Sequence, residues 1–71
     1  MTQAKVDGKA ESVSGTCPTL TFVVNGQAVY TTEATDFKKL RCKDLKNGTS
    51  VTVTGWRMSD GTIRADLVEK N

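Results

Sequence analysis

The stretch "EATDFKKLRCKDLKNG", residues 33–48, breaks the apolar–polar alternation that runs on both sides of it. Phe37 and Leu40 stand three apart with Leu45 beyond, a spacing that fits a helical turn better than a strand. Thr35 or Asp36 is placed to cap such a turn, and Gly48 follows the last charged residue. One or two helical turns plugging one end of a barrel are therefore expected here.

The barrel itself is read from the flanks. Upstream, "PTLTFVVNGQAVYTT" places Asn25-Gly26 between two apolar runs, the strongest short signal for a hairpin with a two-residue turn. That turn pairs Val24 with Gln27, Val23 with Ala28, Phe22 with Val29 and Thr21 with Tyr30. Leu20, Phe22 and Val29 then share the inner face, while Val23, Ala28 and Tyr30 lie outside or under a covering loop.

Downstream, "TSVTVTGWRMSDGTIRADLVEK" reads as a second hairpin. Ser59-Asp60-Gly61 suits a type I turn followed by a left-handed glycine, a three-residue loop. Its register pairs Val53 with Leu67, Gly55 with Ala65 and Arg57 with Ile63, and sets Trp56 across from Arg64. A two-residue Asp-Gly loop would put Thr54 opposite Leu67 and mix the faces, so the longer loop is preferred.

At the start of the chain, Val6, Gly8 and Ala10 lie on one face and Val13 on the other. That change of phase predicts a bulge or bend, with Gly8 allowing the strand to curl. A first strand that serves two faces belongs to a small closed barrel. The expected fold is mainly β: one domain over residues 1–71, a five-stranded OB-fold-like Greek-key barrel with a short helical turn between the third and fourth strands. An SH3-like barrel is the alternative, and the helical plug tips the choice. Val6, Leu20, Phe22, Val29, Phe37, Leu40, Leu45, Val51, Val53, Ile63, Ala65 and Leu67 are expected to form the core.

A chain of 71 residues buries a limited share of its surface, so its stability margin is thin. Small domains of this kind usually carry a staple, and the chain has two cysteines, Cys17 and Cys42. Both flank loops where strand ends can converge, so a Cys17–Cys42 disulfide is expected, with two half-buried thiols as the other reading. Closing that loop stabilises by roughly 3 kcal/mol in the chain-entropy model.

The composition removes several function classes. No apolar run is long enough to span a bilayer, and the N-terminus lacks a signal-peptide core. If the domain is exported, this chain is a trimmed mature form and Met1 is not its natural start. Histidine is absent, so the usual general base at neutral pH is missing. The carboxylates Asp7, Glu11, Glu33, Asp36, Asp44, Asp60, Asp66 and Glu69 are scattered over turns and polar faces. Cys17 or Cys42 as a nucleophile lacks a base and an oxyanion site. No catalytic residue, metal site or cofactor is expected.

Net charge is only +2, yet the 33–48 segment concentrates Lys38, Lys39, Arg41, Lys43 and Lys46. A solvated loop whose lysines resist aggregation explains this. The sharper reading is an electrostatic footprint for a polyanion. Combined with Tyr30, Trp56, Arg57 and Arg64 as a stacking platform, it would make a single-strand binding face of the OB type. Trp56 resting on Arg64 to cover its own strand is the simpler account. Asn47-Gly48-Thr49 matches the N-glycosylation pattern but reads as a turn before the next strand.

The spacing of "GTCPTLTFVVNGQAV", the Thr35–Phe37 pair, Cys42, "DLKNGTSVTVTG" and "DGTIRA" resembles a family of small bacterial exported domains, the domain of unknown function 5666. The resemblance runs from about residue 8 to 69, on motifs that are mostly structural. It implies an OB-like barrel, a lipoprotein, periplasmic or extracellular setting, and no established catalytic residues. The Lys/Arg-rich plug and Trp56 after Gly55 depart from the family's common pattern. Two functions stand after this reading. One is a non-catalytic, monomeric accessory domain that engages protein or other domains of its parent chain. The other is a binder of single-stranded nucleic acid or another anionic polymer.

Overall fold

The computed structural model describes residues 2–17 and 19–71; Met1 and Pro18 lie outside the described residues. Among the described residues six strands follow one another: β1 (Thr2–Thr16), β2 (Thr19–Val24), β3 (Gln27–Tyr30), β4 (Asp36–Lys38), β5 (Ser50–Arg57) and β6 (Ile63–Lys70). A 3-10 turn at Cys42–Asp44 precedes β5. Pairing runs β3-β2-β1-β5-β6, and a parallel contact from β3 back to β6 closes the ring. The result is a five-stranded OB-like barrel, with β4 an appended edge strand on β6.

The first strand does the work of two. Thr2 to Lys9 pair with β5, and Ala10 to Thr16 pair with β2. The handover follows Gly8, and a bulge between Glu11 and Ser14 places Ser12 at φ 54°. That bulge frees the Val13 amide, which donates to Asn47 Oδ1 at 2.8 Å. Asn47 therefore ties the bulge to the turn before β5, where Gly48 N and Ala10 N exchange bonds with Ala10 O and Thr49 O.

The first hairpin has the expected register throughout, from Val24↔Gln27 to Thr21↔Tyr30. The second has it only near its turn: Gly55↔Ala65, Trp56↔Arg64 and Arg57↔Ile63. The turn is the three-residue loop, with Gly61 N bonded to Met58 O, Met58 N bonded to Thr62 O, and Gly61 at φ 92°. Beyond Gly55 the register slips by one, so Thr54 faces Leu67 and Val53 faces Val68. Asp66 is the extra residue. The expected Val53–Leu67 pair is thus replaced, and Leu67 is half-buried while Val68 is fully enclosed.

The 33–48 segment also departs from expectation. Asp36 to Lys38 are extended and pair in parallel with Leu67 to Glu69, leaving only the 3-10 turn as helical structure. The helix loses because β6 has an open edge there: β3 reaches only Ile63 and Arg64, and β4 takes over past the bulge. Thr35 does not cap a helix. Its hydroxyl donates to Ala65 O at 2.6 Å, next to the bulge, and accepts from Thr32 N at 2.9 Å. The segment still plugs the barrel, since Leu45 is buried and Phe37, Leu40 and Cys42 pack against the core.

Ala10, Leu20, Phe22, Val24, Val29, Leu45, Val51, Val53, Ile63, Ala65 and Val68 fill the interior. Burying each large aliphatic among them stabilises by about 1.5 to 3 kcal/mol. Val24, Ala10 and Val68 join the core beyond expectation, while Val6, Phe37, Leu40 and Leu67 stop at half-buried. Cys17 and Cys42 are bonded, with Cα atoms 5.8 Å apart. The bridge joins the β1–β2 corner to the plug.

Candidate binding surfaces

Pairing around the barrel sets four outer-wall residues side by side. Gln3 of β1 pairs with Trp56 of β5, Trp56 with Arg64 of β6, and Arg64 with Tyr30 of β3. Arg64 thus stands between two aromatic residues at the seam where the barrel closes. Trp56, Arg64 and Tyr30 are all half-buried, and their chain neighbours Gly55, Ile63, Ala65 and Val29 are buried. Cross-strand neighbours of this kind are close enough for a guanidinium and an aromatic ring to attract each other.

Arg57 is not in this row. Adjacent residues of a strand point to opposite sides, and Arg57 Nη2 instead donates to Gln27 Oε1 at 3.5 Å. Gln27 Nε2 in turn donates to Gly61 O, so this cluster joins the two hairpin turns at one barrel end.

Beside Tyr30 lies a groove of about 610 Å³ between the outer face of the first hairpin and the second hairpin's turn. Val23, Ala28, Tyr30 and Met58 supply apolar lining, and Ser12, Thr21 and Thr62 supply hydroxyls. The turn is held in shape by Asp60, whose Oδ1 accepts from the Thr62 hydroxyl at 2.6 Å and the Thr62 amide at 3.0 Å. These bonds, the hydroxyl's first, hold the Asp60 carboxyl below the ordinary aspartate range.

A second groove of about 600 Å³ opens at the other end, between the plug and the start of β5. Lys39, Lys43, Lys46 and Lys70 line it, with Asn47, Thr49 and Ser50. Lys39 adopts φ 64° and meets Glu69 at 3.7 Å, with both side chains substantially exposed. Such a pair contributes little and is easily screened.

The expected binding residues therefore fall into separate places. Tyr30, Trp56 and Arg64 are brought together; Lys39 and Lys43 line the far groove; Lys38 sits on β4 opposite Glu69, and Arg41 is exposed before the 3-10 turn. Ser50 starts β5 and Trp56 lies one residue before its end, about 20 Å away at strand rise. In a molecule of 28 × 23 × 19 Å that is most of its length.

Residues missed by sequence reasoning have legible and illegible causes. Val23, Ala28 and Met58 are apolar at outward or loop positions, and that mismatch is itself a signal. Lys70 enters the basic groove through its pairing with Val51, a register that depends on the Asp66 bulge.

Among the described residues no helix is long and apolar enough to cross a membrane. Neither a curated protein nor a solved structure gave a match to the chain. The model of the domain of unknown function DUF5666 matches residues 7–69, nearly the whole barrel, and the chain belongs to that family.

Proposed function

We propose that this domain is a non-catalytic interaction module of an exported protein, and that it holds an extended polypeptide segment in the groove beside Tyr30. The observation that carries this reading is the apolar lining of Val23, Ala28, Tyr30 and Met58 on the face formed by β2, β3 and the turn after β5. OB-like barrels hold oligomeric ligands on that face. An extended chain suits a groove along strands because its alternate side chains reach apolar subsites while its backbone stays hydrated. The disulfide supports an oxidising compartment.

The single-strand nucleic-acid reading is less well supported. It needs several phosphate-binding cations along the stacking surface; Arg64 alone stands in the aromatic row, Arg57 is engaged with Gln27, and the lysine groove is a barrel length away from Trp56.

Titration of isotope-labelled domain with a panel of extended apolar peptides tests the proposal. Shifts confined to Val23, Ala28, Tyr30 and Met58, and lost in Ala28→Asp without a change in melting, are expected. Oligonucleotide binding at low salt that quenches Trp56 would instead favour the nucleic-acid reading and sink this one.

A further inference from the structure

The basic groove is lined mainly by hydrogen-bond donors. Asn47 Oδ1 accepts from Val13 N at 2.8 Å, which leaves its amide nitrogen to donate. Thr49 Oγ1 accepts from Lys46 N at 3.3 Å, and Ser50 Oγ accepts from Asn71 Nδ2 at 3.4 Å, so both hydroxyl protons are left to donate. Asp44, the carboxylate in the lining, receives Arg41 N at 3.3 Å and offsets one of the four lysine charges, which leaves the groove positive. Among the described residues, Lys43, Lys46 and Lys70 make no ion pair, and Lys39 shares only Glu69. Four ammonium groups and three neutral donors thus border one cavity.

The choice of cation narrows the ligand. No arginine lines this groove, so an anion there meets lysine point charges and not the bidentate fork that fits carboxylates and phosphates alike. Point charges attract in proportion to the ligand's charge, which is greater for a phosphate monoester than for a carboxylate or a sulfate ester. The amines come from the plug, the turn before β5 and the end of β6, and the groove of about 600 Å³ that they line has room for more than one phosphate group. We propose that this groove binds a ligand carrying two or more adjacent phosphate groups. The site is separate from the peptide groove and does not depend on it.

The test is a titration of isotope-labelled domain with tripolyphosphate at constant ionic strength. Saturable shifts at Lys39, Lys43, Lys46, Asn47 to Ser50 and Lys70 are expected below about 1 mM. Lys43→Gln with Lys46→Gln should weaken binding by about tenfold or more. Lys5→Gln with Arg57→Gln removes the same charge outside the groove, and a change within about twofold is expected from screened distant charge. All four side chains are exposed, and retained cooperative melting checks each double variant.

A second arm uses vesicles of phosphatidylglycerol in phosphatidylcholine. Vesicle binding lost in the same groove variant assigns the phosphates to a lipid surface; tripolyphosphate binding alone assigns them to a soluble ligand. Shifts that do not saturate, or equal weakening by the two double variants, would overturn the proposal in favour of diffuse charge attraction.

Discussion

The two hairpins obey the same pairing rules near their turns and diverge further along. In β2–β3 the Asn25-Gly26 turn sets every pair through Thr21↔Tyr30. In β5–β6 the Ser59–Gly61 turn sets the pairs only to Gly55↔Ala65, and the bulge at Asp66 then shifts the rest. A turn transmits register for as long as both strands stay regular. The bulge arises where the two backbones press together: a Cβ built on Gly55 would lie 1.9 Å from Arg64 O. It also serves the barrel, because β6 there changes its outer partner from β3 to β4 and gives Ala65 O to Thr35.

The largest expected effect contrasts one glycine from each hairpin. Gly55→Ala forces the Arg64 backbone away and should abolish cooperative folding, a loss above about 4 kcal/mol. Gly26→Ala meets nothing within 4 Å, but at φ 77° it carries conformational strain of about 1 kcal/mol. Urea denaturation of both variants checks the ratio. A stable Gly55→Ala domain would mean that the close approach is not what shapes the second hairpin.

Next is Phe22, in the hairpin whose phase was legible. Phe22→Ala should cost about 3 to 5 kcal/mol by chemical denaturation. Near-native melting of that variant would place the side chain outside the barrel.

A paired substitution probes the bulge directly. Val68→Ala removes fully buried methyl groups and should cost about 2 kcal/mol, against less than about 1 for half-buried Leu67→Ala. The reverse ranking would restore the uninterrupted register.

The smallest effect concerns the second turn. Because the folded-state carboxyl of Asp60 is held below its ordinary value of 3.8, its contribution is present above that pH and fades as pH falls through the folded value. Melting followed from pH 5 down to about 2.5 should show a small acid-dependent loss that Asp60→Asn removes. An unchanged acid profile in Asp60→Asn would show that the carboxylate is not what braces this turn.

Much of the barrel was readable because its signals are local. Asn25-Gly26 and Ser59–Gly61 name their turns, the phase change at Val13 announces the β1 bulge, and the cysteines flank convergent loops. The 33–48 segment misled for the same reason. Its Phe37–Leu40 spacing is locally helical, but an open strand edge offered Asp36 to Lys38 hydrogen bonds that a short helix could not match. The candidate surfaces were legible residue by residue and illegible as places. Tyr30, Arg64 and Trp56 come from three strands, and Lys70 joins Lys43 in one groove only through a shifted register.

By itself the sequence determined the β-barrel class, both turns, the first hairpin's register, the disulfide partners and membership of the family. Each follows from contacts within a few residues or from residue chemistry that context does not change. Only the tertiary structure decided the Asp66 bulge, the exchange of Leu67 for Val68 in the core, the strand in place of a helix at Asp36 to Lys38, and the separation of the aromatic row from the lysine groove. Those outcomes depend on which backbone edge is left open when the barrel closes, and that competition is between segments far apart in the chain.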